Sequence, residues 1–427
     1  MDEEVNKSFK RKITSNFILL NVGDVITKAG LFLATILLAK TLGVKGFGAL
    51  SFVQSVVLLL MFSTDMGIEW KGVDYVAKLR NMPGCNRRLG EYVNSIFMVR
   101  VLLASFLSVV MVAGIIFIPV LRTNMMLSFG FGLSVFVAAI LADWVYMGLG
   151  ELRYLVISRV IRSLSYLFLV VLFVSNQDAL ALVGFIYTSA FAVAAIFLLY
   201  VLYEKYDWRL EFSFRDVKLF SVIKSALPFF MYALLGQIYY LIGTIYIQGV
   251  SNERVTGLYA AAYRIIALLV PVGGYLITAS YPYIRDGASK SITDMREILK
   301  VLMCRMLILS TGLTITCYVM AEQLIRLFYG DDYGGSVLFL KVLSVSIPFV
   351  LLSMLLGAFL NALGREREMM LFILVSLLSL FLVAVPLNYF MGFHGIVYAI
   401  TFSTIVVNIL ALRAVYSTKH CKLSPCA

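Results

Sequence analysis

Arg159 and Arg162 stand three residues apart in an apolar stretch, just beyond a polar turn containing Glu151 and Arg153. Residues three apart on a helix share a face, so both guanidiniums point the same way. Arg100, Arg264 and Arg305 are embedded in other apolar runs, as are Lys28, Lys224 and Lys341. Only three acids, Asp24, Asp65 and Asp143, fall inside the same runs. A guanidinium presents a planar fork that matches phosphate oxygens. The chemistry this predicts is recognition of an anionic ligand. There is no nucleophile motif, no phosphate-binding glycine loop and no metal motif. The two histidines and five cysteines show no metal-ligand spacing, so no cofactor is expected.

The elements that must position these residues are membrane helices. Of the 427 residues 61% are hydrophobic and 14% charged, with a mean hydropathy of +0.93. A soluble chain would carry about 25% charged residues. Apolar runs recur along the whole length, over 14–39, 47–68, 93–120, 125–148, 154–175, 179–203, 222–248, 257–280, 298–321, 337–362, 369–390 and 392–415. Each is long enough to cross ~30 Å of hydrocarbon as a helix. None alternates as a transmembrane barrel strand would. The reading is an all-α polytopic membrane protein of twelve spans. The net charge of +12 is not gathered into a soluble basic patch, which argues against nucleic acid.

Loop charges set the orientation. The termini and the loops on their side hold 23 of the 36 Lys and Arg residues, against 5 in the opposite loops. The positive-inside rule then places both termini in the cytoplasm, where Cys421 and Cys426 stay reduced. The basic start lacks a small-residue cleavage site and is read as leading into a retained first span.

The chain also repeats. Gly48-Ala49-Leu50 opens the second span as Gly257-Leu258-Tyr259 opens the eighth, 209 residues later. Gly148-Leu149-Gly150-Glu151 is echoed by Ala362-Leu363-Gly364-Arg365, 214 residues on. An even number of spans separates each pair, which predicts parallel repeats. The division is an N-lobe of residues 1–203, a basic linker of 204–221, a C-lobe of 222–415 and a tail of 416–427.

A charge at the bilayer centre costs about 2.5–3.5 kcal/mol on the lenient insertion scale, so these side chains face protein, water or ligand. Lys224 and Lys341 lie near span ends and are read as snorkelling. Asp24 and Lys28 have the spacing and order of an internal ion pair. Arg100, Arg159, Arg162, Arg264 and Arg305 then outnumber the remaining acids, which predicts a water-filled cationic cavity. Arg159 and Arg162 have Ile373 and Ser376 at their echo positions. That asymmetry makes them the leading candidates for ligand contact. Pro271 with Gly273 and Gly274, and Pro348, predict bends in the eighth and tenth spans. Gly330-Asp331-Asp332-Tyr333 reads as a turn.

Four segments resemble the Wzx-type polysaccharide flippases of the MATE-like MOP exporter superfamily. They are Leu42–Gly48, Asp65–Ile68 followed by Val76–Lys78, Asp143–Gly148 with Glu151 and Arg153, and Leu327–Tyr333 leading into Leu340–Leu343. The resemblance implies two pseudo-symmetric six-helix lobes around a central cavity. It implies translocation of undecaprenyl-pyrophosphate-linked oligosaccharide repeat units across the bacterial inner membrane by alternating access, for O-antigen, capsule or exopolysaccharide. Flippases of the peptidoglycan precursor usually have fourteen spans, against the twelve counted here. In that setting Arg159, Arg162, Arg100 and Arg305 would take the pyrophosphate from the cytoplasmic side. Arg264 would act nearer the outer side, and Lys28 joins the substrate-binding set. Asp24 or Asp143 would couple transport to protons or sodium. The partners implied are the lipid-linked oligosaccharide, membrane lipids, and the polymerase and chain-length regulator of the same pathway. The alternative is a cation-coupled drug or metabolite exporter of the MATE type, which needs acids in its cavity where acids are the minority. A polymerase needs a large outer loop, and the longest here is 322–336.

Overall fold

The computed structural model describes residues 2–65, 67–80, 85–209, 219–290 and 292–417. Most of the expected linker (210–218) and of the tail (418–427, with Cys421 and Cys426) lies outside these. The described residues form helices and turns, with no strand among them. Their long apolar runs suit helices, which in lipid satisfy every backbone polar group within one segment.

The chain divides into two compact units, Met1–Gly43 with Val53–Phe230, and Val44–Phe52 with Met231–Ala427. The helices in the first half are α1 (Asp2–Ser63), α2 (Ile68–Leu79), α3 (Cys85–Phe117), α4 (Pro119–Thr123), α5 (Met125–Ile140), α6 (Asp143–Leu149), α7 (Leu152–Phe173) and α8 (Leu180–Tyr206). Those in the second are α9 (Leu219–Val250), α10 (Glu253–Lys290), α11 (Ile292–Val319), α12 (Ala321–Phe328), α13 (Ser336–Ala362), α14 (Glu366–Met391) and α15 (Gly395–Ser417).

Ten stretches of the described residues are long and apolar enough to cross a membrane. Two of them, Leu19–Ser63 with 45 residues and Arg367–Ser417 with 51, are each long enough for two crossings at ~1.5 Å per residue. The twelve spans are thereby accounted for. In the first of these stretches the break is Gly43, at φ 67° and ψ 175°, a region that essentially only glycine occupies. The protein is a multi-pass membrane protein.

Two features depart from the sequence expectation. The fourth span is not continuous: α5 stops at Ile140, Leu141 is extended, and α6 begins at Asp143. The segment after Asp65, expected as a loop, contains α2, which is too short and too polar to be a span. Pro271 and Pro348 sit inside helices that continue past them, and Gly273 lets α10 approach Leu351 of α13.

Both echoes have structural counterparts. Gly150 and Gly364 are left-handed, at φ 73° and 68°. Their backbones repeat the same bonds: Gly150 N–H donates to Met147 O and Glu151 N–H to Tyr146 O, and Gly364 N–H donates to Asn361 O and Arg365 N–H to Leu360 O. The other echo is a contact. Within the second unit, a Cβ on Gly48 would strike the carbonyl of Glu253, and one on Gly257 would strike that of Val44. The pairs are reciprocal at the 209-residue offset, as in a two-fold interface. Such backbone approach is a main source of helix adhesion in lipid, where apolar side chains gain nothing by leaving the hydrocarbon. Gly257→Val should cost about 1–3 kcal/mol by overpacking. Gly312→Val, where nothing lies within 4 Å, should be much milder. Thermal unfolding of the two variants in detergent checks this; equal losses would refute it.

Candidate functional site

Several charged residues of the first unit converge on the break between α5 and α6. Ending α5 at Ile140 frees carbonyls that no helix continues to satisfy. Arg100 of α3 supplies the donors: Nη2 to Ala138 O at 2.9 Å and Nη1 to Leu141 O at 3.2 Å. A cation there also complements the negative end of the helix dipole. The same Nη2 lies 4.0 Å from Asp65 Oδ1. Only 6% of Arg100 is exposed. The sequence grouped Arg100 with the substrate-contacting arginines; in the structure its guanidinium donates to two main-chain carbonyls.

Asp143 opens α6 on the far side of the break. Its Oδ2 lies 3.8 Å from Arg159 Nε. Its Oδ1 is buried without a hydrogen-bond partner. Arg162 and Arg100 also lie within electrostatic reach of this carboxylate. Arg162 lies over the Phe191 ring of α8, 4.5 Å from its centroid, a cation–π contact. The part of α7 that carries both arginines is held against α1. Ser163 Oγ donates to Thr27 O at 2.7 Å, and Gly23 and Gly30 admit Val156 and Ser163 at close range.

A fourth acid joins them that the sequence reading left in a loop. Glu69 lies in the first turn of α2, and its N–H donates to Asp65 Oδ1 at 3.1 Å. Helix α2 is fixed by Gly72, which packs on the Trp144 ring of α6. Glu69 thereby comes within electrostatic reach of Asp65, Arg100, Asp143 and Arg159. The cluster therefore sets the carboxylates of Asp65, Glu69 and Asp143 against the guanidiniums of Arg100, Arg159 and Arg162. It is balanced when all are ionised, which corrects the expectation of an unmatched arginine excess in this half. The signal was present as Asp65 and Glu69 four apart, but it needed α2 to be recognised as a helix.

The other candidates lie elsewhere. Lys28 Nζ meets Asp24 Oδ2 at 2.6 Å, so these two form the internal pair their spacing predicts. Arg264 is in the second unit, over the Phe47 ring at 5.6 Å. Arg305 is exposed on α11, also in the second unit. Among the described residues no group of His, Cys, Asp and Glu is placed to hold a metal ion.

Burial pushes the Glu69 carboxyl up to about 7, with Asp65 and Asp143 adding to the shift and Arg100 and Arg159 opposing it. An acid with a raised folded pKa binds its proton more tightly when folded. The wild type should lose stability as pH rises from about 4.5 to 7, by up to about 3 kcal/mol. Glu69→Gln removes that titration. Its melting temperature should exceed the wild type's at pH 8 and approach it near pH 4.5; curves that run parallel would count against the shift.

A family model described as polysaccharide biosynthesis protein matches residues 13–288. Two curated relatives carry the name "Putative O-antigen transporter". One, from Shigella dysenteriae, is 20% identical over 384 residues, covering 88% of this chain and 93% of the relative. The other, from Escherichia coli (strain K12), is 23% identical over 326 residues, covering 74% of each. Among solved structures, the lipid II flippase MurJ in an inward closed conformation superposes with a TM-score of 0.75 at 14% identity, over 94% of this chain and 88% of that one. An inward-facing multidrug resistance MATE family transporter of the MOP superfamily gives 0.70 at 15% identity, over 94% and 98%. At these identities the structural likeness establishes the fold alone, which is shared with these two transporters. With the family model covering more than half of its length, this chain belongs to the polysaccharide biosynthesis protein family.

Proposed function

We propose that the protein is a flippase that carries an undecaprenyl-pyrophosphate-linked oligosaccharide across the bacterial inner membrane by alternating access, with both termini in the cytoplasm. The observation that carries the reading is the pair Arg159 and Arg162 on one stretch of α7, converging on Asp143 in a chain of a polysaccharide biosynthesis family. The names of the two curated relatives support the same class of cargo. The product would serve O-antigen, capsule or exopolysaccharide assembly and pass to the polymerase and chain-length regulator.

In this mechanism the carboxylates act as stand-ins for the substrate. With no ligand, Asp143 and Glu69 neutralise Arg159 and its neighbours. An arriving pyrophosphate competes for the same guanidiniums, offering forked, charge-assisted hydrogen bonds. Its negative charge also raises the proton affinity of nearby acids. Glu69, which titrates near neutrality, is the group that takes the proton. Proton coupling is therefore assigned to Glu69, in place of the Asp24 or Asp143 of the sequence reading; Asp24 is paired with Lys28, and Asp143 faces Arg159. The lipid tail stays in the bilayer while the headgroup crosses, so the cargo's apolar part never needs a protein site.

Changing Arg159 and Arg162 together to alanine should abolish surface polysaccharide in a strain that depends on this protein, while the protein remains in the membrane. Each charge-assisted bond is worth ~1.5–3 kcal/mol, so each single change should weaken transport by about tenfold or more. Polysaccharide measured by gel ladder, alongside immunoblots of the membrane fraction, decides it: a normal ladder in the double variant would sink the reading.

A further inference from the structure

Helix α1 packs along α7, and the contacts between them fix which way each charged side chain turns. Gly23 meets Val156, and Gly30 meets Ser163, whose Oγ donates to Thr27 O at 2.7 Å. The numbers rise together on both sides, so the two helices run the same way. Gly23, Thr27 and Gly30 form the seam on α1, and Val156 and Ser163 form it on α7. Asp24 and Lys28 each directly follow a seam residue, Gly23 and Thr27. At 3.6 residues per turn each is rotated about 100° from it. Arg162 directly precedes the seam residue Ser163, so it is rotated by about the same angle in the opposite sense. Arg159, three residues earlier, shares its face. On two helices that run the same way and face each other, opposite rotations lead to one side. Asp24, Lys28, Arg159 and Arg162 therefore share one side of the α1–α7 pair, at matching depth along the seam.

The exposed apolar residues lie on the other side. On α1, Val22 and Ile26 each precede a seam residue; on α7, Ile157 and Leu164 each follow one; all four are exposed. That stripe is the side suited to hydrocarbon. The charged side is open as well: the side chains of Lys28, Asp24 and Arg159 are 35%, 32% and 37% exposed. Lys28 thus adds a cation to the wall that carries the arginine pair, one helix away from it. A pair of guanidiniums suits one phosphate, whereas a pyrophosphate presents a second with its own charge. An ammonium on a four-carbon stem is a compact charge with freely turning donors, able to move from one anion to another. Asp24 holds it at 2.6 Å, much as Asp143 faces Arg159 at 3.8 Å.

We propose that Lys28 takes the second phosphate of the carrier lipid, so that α1 and α7 together select a pyrophosphate over a monophosphate. The assignment rests on the flippase reading above and adds the basis on which that site tells one carrier lipid from another. Asp24 occupies Lys28 until the ligand arrives and then gives it up.

The test measures binding of two probes to purified protein in lipid nanodiscs: undecaprenyl pyrophosphate and undecaprenyl phosphate. The wild type should prefer the pyrophosphate by about tenfold or more, the worth of one charge-assisted hydrogen bond. Lys28→Gln should remove most of that preference, and Lys28→Arg, which keeps the charge, should retain it. The double change Asp24→Asn with Lys28→Gln leaves no stranded carboxylate and should behave like Lys28→Gln. Asp24→Asn alone releases Lys28 and should keep the preference or enlarge it. The proposal is overturned if the double variant keeps the wild-type preference, or if the glutamine variants weaken both lipids equally. It is also overturned if Asp24→Asn loses the preference as Lys28→Gln does, which is how a purely structural ion pair behaves. A wild-type protein that binds neither lipid would overturn the flippase reading itself. A wild type that binds both equally would remove the role of Lys28 alone.

Discussion

A guanidinium inside a membrane has to be solvated by something other than lipid, and the first unit is arranged so that the protein does it. Arg100 donates to two carbonyls at the end of α5, Leu141 O and Ala138 O, the second of which also accepts from Leu141 N–H. Unpaired carbonyls at membrane depth cost several kcal/mol each, so these bonds help the break to sit there. Other charged groups gather beside this contact. Asp65 stands beside the arginine, Asp143 begins the helix after the break, and Glu69 is brought in by the Asp65 turn.

The scaffold that holds these groups is built by close approach. Gly23, Thr27 and Gly30 bring α1 against α7, and Gly72 brings α2 against Trp144. Such contacts gain dispersion and main-chain dipole energy that larger side chains would block. The reciprocal contact of Gly48 and Gly257 within the second unit follows the same rule. The two halves thus keep the same turn at Gly150 and Gly364 but differ in chemistry beyond it. Where α7 carries Arg159 and Arg162, α14 carries Ile373 and the buried Ser376, whose hydroxyl donates to Ser403 O. The repeat preserves the turn, and the side chains beyond it differ between the halves.

The cations of the two units keep different company. In the first unit the arginines are faced by carboxylates, and in the second Arg264 lies over the Phe47 ring. Burial, with Asp65 and Asp143 nearby, raises the Glu69 carboxyl to about 7.

The sequence alone determined the class, the spans and the repeat. Hydrophobic runs, loop charges and glycine offsets are local or periodic, and a membrane enforces them strongly because no unsatisfied backbone can face lipid. It also identified the Asp24–Lys28 pair, since four residues on one helix set that distance. The tertiary structure alone decided which arginines work together. Arg100 is 43 residues from Asp143 and 35 from Asp65 in the sequence, and only the packing of α3 on α5 gives it carbonyls to hold. Glu69 looked like a loop residue because α2 is short and its charge pattern resembles a solvated surface. Its role appears once Gly72 meets Trp144, and no periodicity within α2 encodes that contact.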